Sequence, residues 1–250
     1  LLLKRRGLDL MKAMILAAGI GSRLKDLTRD TPKCMMEVGG KTMLEHVVDR
    51  LISAGVTAVA INVHHHADKV TEFIKSKDDF GLEVVISHEP KLLDTGGGLK
   101  RVASFFSGEA AFLIHNADIF SNIDLAHLVE HHRDKKAIGT LAVMERPSKR
   151  GLFFDAKHNL VGWTEESIDL PAQSTLLGFC GISVASHEIF SYMGDEPAFS
   201  IIKPYLVAAR ASKRVWGTVV TGVEWTDVGT PEQLESLRKR STTHLSIKAQ

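Results

Sequence analysis

The sequence predicts an α/β fold built on a mostly parallel sheet, and three observations carry that prediction. From Met11 onward, short aliphatic or β-branched runs alternate with longer amphipathic ones, the pattern of successive βα units. A glycine-rich loop follows the first of these runs, at the edge where open α/β sheets bind ligands. The run Ala111–His115 is apolar but for its last residue, as suits a central parallel strand covered on both faces.

Taken in order, Lys12–Ala17 reads as the first strand, with the glycine loop behind it. A short apolar segment at Cys34–Val38 then meets a Gly39-Gly40 turn. Met43–Ala54 is predicted as a helix because Leu44, Val47, Val48 and Leu51 recur on one face. Gly55 ends that helix, where a left-handed residue is wanted. Strands are predicted at Ala58–Val63, Leu82–Ser87 and Ala111–His115, and helices at Asp68–Ser76, Gly98–Phe106 and Leu125–Asp134. The second half changes texture. Gly139–Glu145, Leu152–Asp155, Leu160–Thr164 and Leu177–Val184 follow one another without long helices, so mixed or antiparallel strands extend the sheet. Helices return at His187–Met193, Ile201–Ala211 and Pro231–Arg240, the last with proline in its first turn.

A chain of 250 residues fits one large domain or two small ones. No repeat or low-complexity linker divides it. The expectation is one domain over residues 11–240, residues 1–10 being an N-terminal extension or artefact and residues 241–250 a tail too short for a further domain. Lys and Arg total 31 against 30 Asp and Glu, a balance that offers no strong field for nucleic acid or an anionic membrane. No apolar run approaches the roughly 18 residues that suggest a membrane span. Cys34 and Cys180 form neither a disulfide framework nor a metal knuckle, so a reducing, cytoplasmic setting is expected.

The glycine loop, Ala18-Gly19-Ile20-Gly21-Ser22-Arg23, combines bare backbone with a cation. Glycine lets N–H groups approach phosphate oxygens, and arginine holds the charge in two-pronged fashion. A dinucleotide fingerprint would need a glycine where Leu24 stands, and a P-loop ending at Gly40-Lys41-Thr42 would need one where Met35 stands. What remains is a polyphosphate loop with a second cation at Thr31-Pro32-Lys33, its approach stiffened by proline. A second cluster, Asp94-Thr95-Gly96-Gly97-Gly98, opens a predicted helix. Each glycine costs about 1 kcal/mol there, so either ligand contact or close packing must want it bare.

Two carboxylates suggest a metal. Asp118 follows the apolar strand, and Asp227 lies just before the last helix, where Thr230 is the better N-cap and leaves Asp227 for other work. With phosphate oxygens and water, two carboxylates make a sensible set for Mg²⁺. The histidines of His64-His65-His66 and of His127, His131 and His132 lack a metalloprotease-like pattern and are read as exposed or polar loop residues. Trp163, Trp216 and Trp225 are read as packing residues.

Together, Leu16-Ala17-Ala18-Gly19-x-Gly21-x-Arg23, Pro32-Lys33, Asp94-Thr95-Gly96-Gly97-Gly98, Asn116-x-Asp118, Phe179-x-Gly181-Ile182 and Trp225-x-Asp227-x-Gly229-Thr230 resemble the sugar-1-phosphate nucleotidyltransferases. The resemblance covers residues 11–240. It is greatest to short members such as the N-acetylmuramate-1-phosphate uridylyltransferases, with the mannose-1-phosphate guanylyltransferases next. It implies a three-layer α/β/α, GT-A-like nucleotide-diphospho-sugar transferase fold with a mixed central sheet. It also implies transfer of a nucleoside monophosphate from an NTP, UTP or GTP, to a sugar 1-phosphate, with Mg²⁺ as cofactor. By the same resemblance, Gly21, Ser22 and Arg23 form the triphosphate loop and Lys33 holds phosphate in the transition state. Leu16, Ala17, Ala18 and Gly19 border the nucleoside, Gly96 and Gly97 lie near the base, and Asn116 contacts ribose or sugar. Asp118 and Asp227 hold the metal, and Gly151 and Glu165 touch the sugar. The chain departs from the family pattern in Ala117, where glycine is common, and in Thr164-Glu165-Glu166-Ser167, which lacks the lysine of a Glu-Glu-Lys-Pro motif. The alternatives are a phosphocholine-type cytidylyltransferase and a non-catalytic nucleotide-sugar-binding regulatory domain.

Overall fold

Chain order and hydrogen-bonding partners separate early in this fold. The computed structural model describes residues 11–148, 150–167, 169–212 and 214–248, so the proposed extension at residues 1–10 lies outside the described residues. Strand β1 (Met11–Leu16) leads into the glycine loop and a 3-10 turn at Ser22–Thr28. Strands β2 (Glu37–Val38) and β3 (Lys41–Thr42) form a hairpin whose Gly39 and Gly40 have φ of 58° and 79°, the left-handed pair that a tight two-residue turn requires. Helix α1 (Met43–Ser53) starts at once: Thr42 accepts from the Glu45 N–H, and Glu45 answers by accepting from the Thr42 N–H, a reciprocal cap. Strand β4 (Val56–Val63), helix α2 (Ala67–Ser76) and strand β5 (Glu83–His88) follow in the expected βαβ rhythm.

Helix α3 spans Asp94–Arg101, four residues earlier than the expected start at Gly98, so the three glycines lie inside it. A 3-10 turn at Ala103–Phe106 continues it. Strand β6 (Phe112–Asn116), strand β7 (Ile119–Ser121) and helix α4 (Leu125–Asp134) come next, then β8 (Gly139–Met144), β9 (Gly151–Phe154), β10 (Leu160–Trp163) and β11 (Thr175–Ala185). The expected helix at His187–Met193 is a 3-10 stretch, His187–Tyr192. Helix α5 (Ile202–Ser212), strands β12 (Val215–Val219) and β13 (Trp225–Asp227) and helix α6 (Pro231–Lys248) complete the chain. Helix α6 runs past the expected end at Arg240, because no glycine or proline stops it there.

The main sheet has nine strands, with the path β10-β9-β11-β6-β1-β4-β5 and with β8 and β12 branching from β11. Pairing is parallel from β6 through β1 and β4 to β5 and antiparallel where β11 meets β6, β8 and β9, so the sheet is mixed. Alternate residues of β1 face opposite cores. Ala13 and Ile15 pack with Leu44, Val47 and Val48 of α1, Val70 and Ile74 of α2, and Leu128 of α4. Met14 and Leu16 pack with Leu99 of α3 and with Tyr205 and Leu206 of α5. Helices therefore cover both faces, which makes the three layers α/β/α and places the carboxyl ends of β1 and β6 side by side at one edge.

Candidate active site

Each group at that edge owes its place to a backbone arrangement. Beyond β1 the chain bends at Gly21, φ 70°, and its carbonyl accepts from the Leu24 N–H at 2.8 Å. A Cβ on Gly21 would lie 2.8 Å from Thr28 Cγ2, so only glycine fits this bend. Among the described residues, no group accepts from the N–H groups of Gly19, Ile20 or Gly21, which leaves them open to solvent or a ligand. Ala17 is held from beneath: its N–H donates to Asn62 Oδ1 at 2.8 Å, while Asn62 Nδ2 donates to Glu89 Oε1 at 2.8 Å. Glu89 is fully buried and its other oxygen accepts from the Leu93 N–H at 2.9 Å. Sequence reasoning passed over Asn62 and Glu89. The available signal was a polar residue inside the otherwise apolar run of β4, at a depth where an unpaired amide would be costly.

Asp118 and Asp227 meet because β7 and β13 form a two-stranded sheet of their own. Asp227 stands opposite Ile119, and the Val228 N–H donates to the Asp118 carbonyl at 2.9 Å. Thr230 caps α6 as expected, accepting from the Gln233 N–H at 3.3 Å, so Asp227 is not used as a cap. Lys33, at the start of a 3-10 turn behind Pro32, ion-pairs with Asp118 Oδ2 and lies 3.9 Å from Asp227 Oδ1. Burial is the largest influence on Asp227 and the Asp118 charge the next, and together they hold its carboxyl above the usual range against Lys33, Arg23 and Arg146. Arg23 runs along Gly229, where a Cβ would come within 2.7 Å of Nη2. The glycine loop and the Trp225–Gly229 segment are thus fitted to each other.

The donor set can be tested against Mg²⁺ on its own chemistry. Asp118 and Asp227 are hard oxygen donors from two neighbouring strands, and Asp227 Oδ1 is buried without a hydrogen-bond donor. That number of carboxylates, with the remaining positions left to water and phosphate, suits Mg²⁺. Among the described residues no cluster of three or more His, Cys, Asp or Glu forms a second candidate. The histidines serve elsewhere. His64 and His66 bond the carbonyls of Glu89 and Arg29, and His131 and His132 bond the hydroxyls of Thr218 and Thr140. His132 is buried in the core, not exposed as expected, because its ring has Thr140 as a partner there.

Two connected cavities open from this centre. One of about 150 Å³ is bounded by Leu16, Ala18, Gly19, Asn62, Thr95 and Asn116. The other, of about 460 Å³, is walled by Arg23, Asn116, Asp227, Arg146, Arg150 and Trp163. Asp94, Thr95 and Asn116 border both. Gly96 and Gly97 border neither. Their N–H groups both donate to the Phe199 carbonyl, at 2.8 and 3.3 Å, and Cβ atoms there would strike the Phe199 ring at 2.4 Å and the Pro197 carbonyl at 2.3 Å. Close packing of α3 against residues 197–199 accounts for them. Gly151 is likewise buried against Leu176, whereas Glu165 lies in an adjoining chamber and pairs with Arg150 at 2.6 Å. Ala117 fits without strain, its methyl in the core and its N–H on the Leu16 carbonyl at 3.0 Å. No helix among the described residues is long and apolar enough to cross a membrane.

The family model described as nucleotidyl transferase matches residues 12–153, which carry the glycine loop, Lys33, Asn116 and Asp118. The chain belongs to the nucleotidyl transferase family. This nucleotidyltransferase is 29% identical over 256 residues to a protein of Oryza sativa subsp. japonica named as a probable mannose-1-phosphate guanylyltransferase, covering 96% of this chain and 69% of that one. Over 109 residues it is 41% identical to the N-acetylmuramate alpha-1-phosphate uridylyltransferase of Caulobacter vibrioides, covering 42% of this chain and 45% of that one. Its fold matches HddC from Yersinia pseudotuberculosis complexed with GMP-PN, with a TM-score of 0.72 at 21% identity over 92% of this chain and 99% of the other. It also matches a UTP-bound UGPase from Acinetobacter baumannii, with a TM-score of 0.74 at 16% identity over 93% of each chain. The nucleotidyltransferase is accordingly of the class that makes a nucleotide sugar from a sugar 1-phosphate.

Proposed function

We propose that the enzyme transfers the nucleoside monophosphate of UTP or GTP to a sugar 1-phosphate in the presence of Mg²⁺, releasing pyrophosphate. The observation that carries this reading is the meeting of Lys33 with Asp118 and Asp227 beside the glycine loop, whose N–H groups at Gly19, Ile20 and Gly21 have no acceptor among the described residues. The cavity at Leu16, Ala18 and Gly19 suits the nucleoside, and the wider one at Arg146, Arg150 and Trp163 suits the acceptor. The acceptor phosphate is already an anionic nucleophile, so no side chain need take a proton from it. One of its oxygens attacks the α-phosphorus as the bond to pyrophosphate breaks, and the electron pair leaves on pyrophosphate. Bound Mg²⁺, held by Asp118 and Asp227, would neutralise phosphate charge. Arg23, Lys33 and the loop N–H groups hold the triphosphate in line and stabilise the charge that builds on the α-phosphate and leaving group. Asn116, which borders both cavities, would bond the ribose or the sugar. A reducing, cytoplasmic setting agrees with Cys34 and Cys180 being buried free thiols.

A pyrophosphate-release screen of NTPs against sugar 1-phosphates and phosphocholine, with Mg²⁺ and EDTA controls, tests the reading. Metal-dependent release with a sugar 1-phosphate supports it. Release only with CTP and phosphocholine selects the cytidylyltransferase, and nucleotide-sugar binding without release selects a regulatory domain.

A further inference from the structure

Among the described residues, Arg146 has no acidic partner in contact. Its Nη2 donates to the Phe179 carbonyl at 2.7 Å, and its guanidinium carbon lies 4.5 Å from the centre of the Trp225 ring. That indole is itself fixed, its Nε1 donating to the Cys180 carbonyl at 2.9 Å. The buried Nε of Arg146 has no acceptor, and among the described residues no carboxylate is within ion-pair distance. Arg150, Lys203 and Arg210, which line the adjoining chamber, differ in this respect, each being paired with a glutamate. Space is reserved for the guanidinium: a Cβ on Gly178 would lie 2.6 Å from Nε. Trp225 and Asp227 are two apart on β13 and so present their side chains to the same side, which puts Arg146 next to the metal carboxylate without contact. A positive charge held by a carbonyl and an aromatic face, on a cavity wall and with no carboxylate of the described residues within ion-pair distance, fits an anionic ligand.

We propose that Arg146 binds the phosphate of the acceptor, setting the attacking oxygen across the cleft from Arg23. This rests on the transferase reading above. It gives the acceptor phosphate a cation of its own in a chain whose Glu165-Glu166-Ser167 segment offers none. As a group that touches substrate, Arg146 is a catalytic residue, and it selects acceptors carrying a phosphomonoester.

Arg146→Met and Arg146→Lys distinguish this from a packing role, since methionine keeps much of the stem and lysine keeps the charge. The probes are mannose 1-phosphate, glucose 1-phosphate and phosphocholine, measured both as acceptors in pyrophosphate release and by calorimetric binding. The expected result for Arg146→Met is an acceptor KM or Kd raised roughly ten- to hundredfold, the range for losing a charge-assisted hydrogen bond. NTP affinity stays within about twofold and the lysine variant falls between. An unchanged acceptor constant overturns the assignment, as does a parallel loss of NTP affinity, which would put Arg146 on the nucleotide. If wild type releases pyrophosphate with a sugar 1-phosphate and Arg146→Met does so with the same KM, the transferase reading stands and this inference falls. If only phosphocholine binds, and binds through Arg146, the sugar falls and this inference stands. If no phosphomonoester binds wild type, both fail.

Discussion

Lys33 forms an ion pair with Asp118 across 85 residues of sequence, and the same ammonium faces Asp227. One cation therefore stands where two carboxylates would otherwise repel each other, and it sits beside the glycine loop. In the proposed reaction the same ammonium would hold phosphate.

Lys33→Ala is expected to lower kcat at least about a hundredfold, the scale seen when one transition-state charge partner is removed. Folding changes less, because Asp118 and Asp227 are both partly open to water. Steady-state pyrophosphate release and a thermal melt check the two halves, and near-normal turnover refutes the role.

Asn62→Ala leaves the Ala17 N–H and a fully buried Glu89 oxygen without their partner. A cost of about 1–3 kcal/mol is expected for each unsatisfied buried group. NTP affinity drops with it, since the strand end that borders the nucleoside is loosened. Urea unfolding combined with NTP titration reads both effects, and a variant as stable as wild type argues against the network.

Gly98→Ala and Gly19→Ala separate packing from ligand approach. A Cβ at Gly98 meets Asn62 Nδ2 at 2.5 Å and Glu89 Oε1 at 2.7 Å, so a loss of about 1–3 kcal/mol is expected. A Cβ at Gly19 meets nothing within 4 Å, so the melting point holds while NTP binding weakens by the methyl placed on the phosphate approach. Equal melting points for the two variants would contradict this.

Acid sensitivity follows from two buried imidazoles. Burial pushes His115 and His132 down to about 4 from 6.5, so both are neutral in the fold and take up protons on unfolding. Stability is full above pH 6.5 and falls as the pH drops towards about 4. The slope approaches about 1.4 kcal/mol per pH unit for each histidine. His132→Gln should remove close to half of the combined slope in chemical unfolding between pH 6.5 and 4.5, and an unchanged slope would mean that other groups set it.

Much of the fold was legible because it is local. The apolar spacing of Leu44, Val47, Val48 and Leu51 placed α1, with Gly55 behind it, and Leu125–Asp134 marked α4 to the residue. Strands β7 and β13 were missed because three residues are too few for alternation to show, and each exists through the other. The start of α3 was misplaced for a related reason. Glycines inside a helix run against local preference, and here the contact with Phe199 and Pro197, remote in sequence, outweighs it. At the site, order and residue type singled out Arg23, Lys33, Asp118 and Asp227. Asn62, Glu89 and Arg146 had no motif around them: the Asn62–Glu89 pair and the partner of Arg146 lie far apart in the chain.

The seam between α3 and residues 197–199 also bears on how this enzyme could evolve. Gly96, Gly97 and Gly98 are filled to the surface by Phe199, the Pro197 carbonyl and the Asn62–Glu89 pair, so any single replacement collides with a neighbour. That seam is closed to gradual drift. The wall at Arg150 and Glu165 differs: both side chains are exposed and pair with each other, so a change there disturbs a surface ion pair and not a packed seam. Single replacements are therefore tolerated at that wall and resisted along the glycine seam.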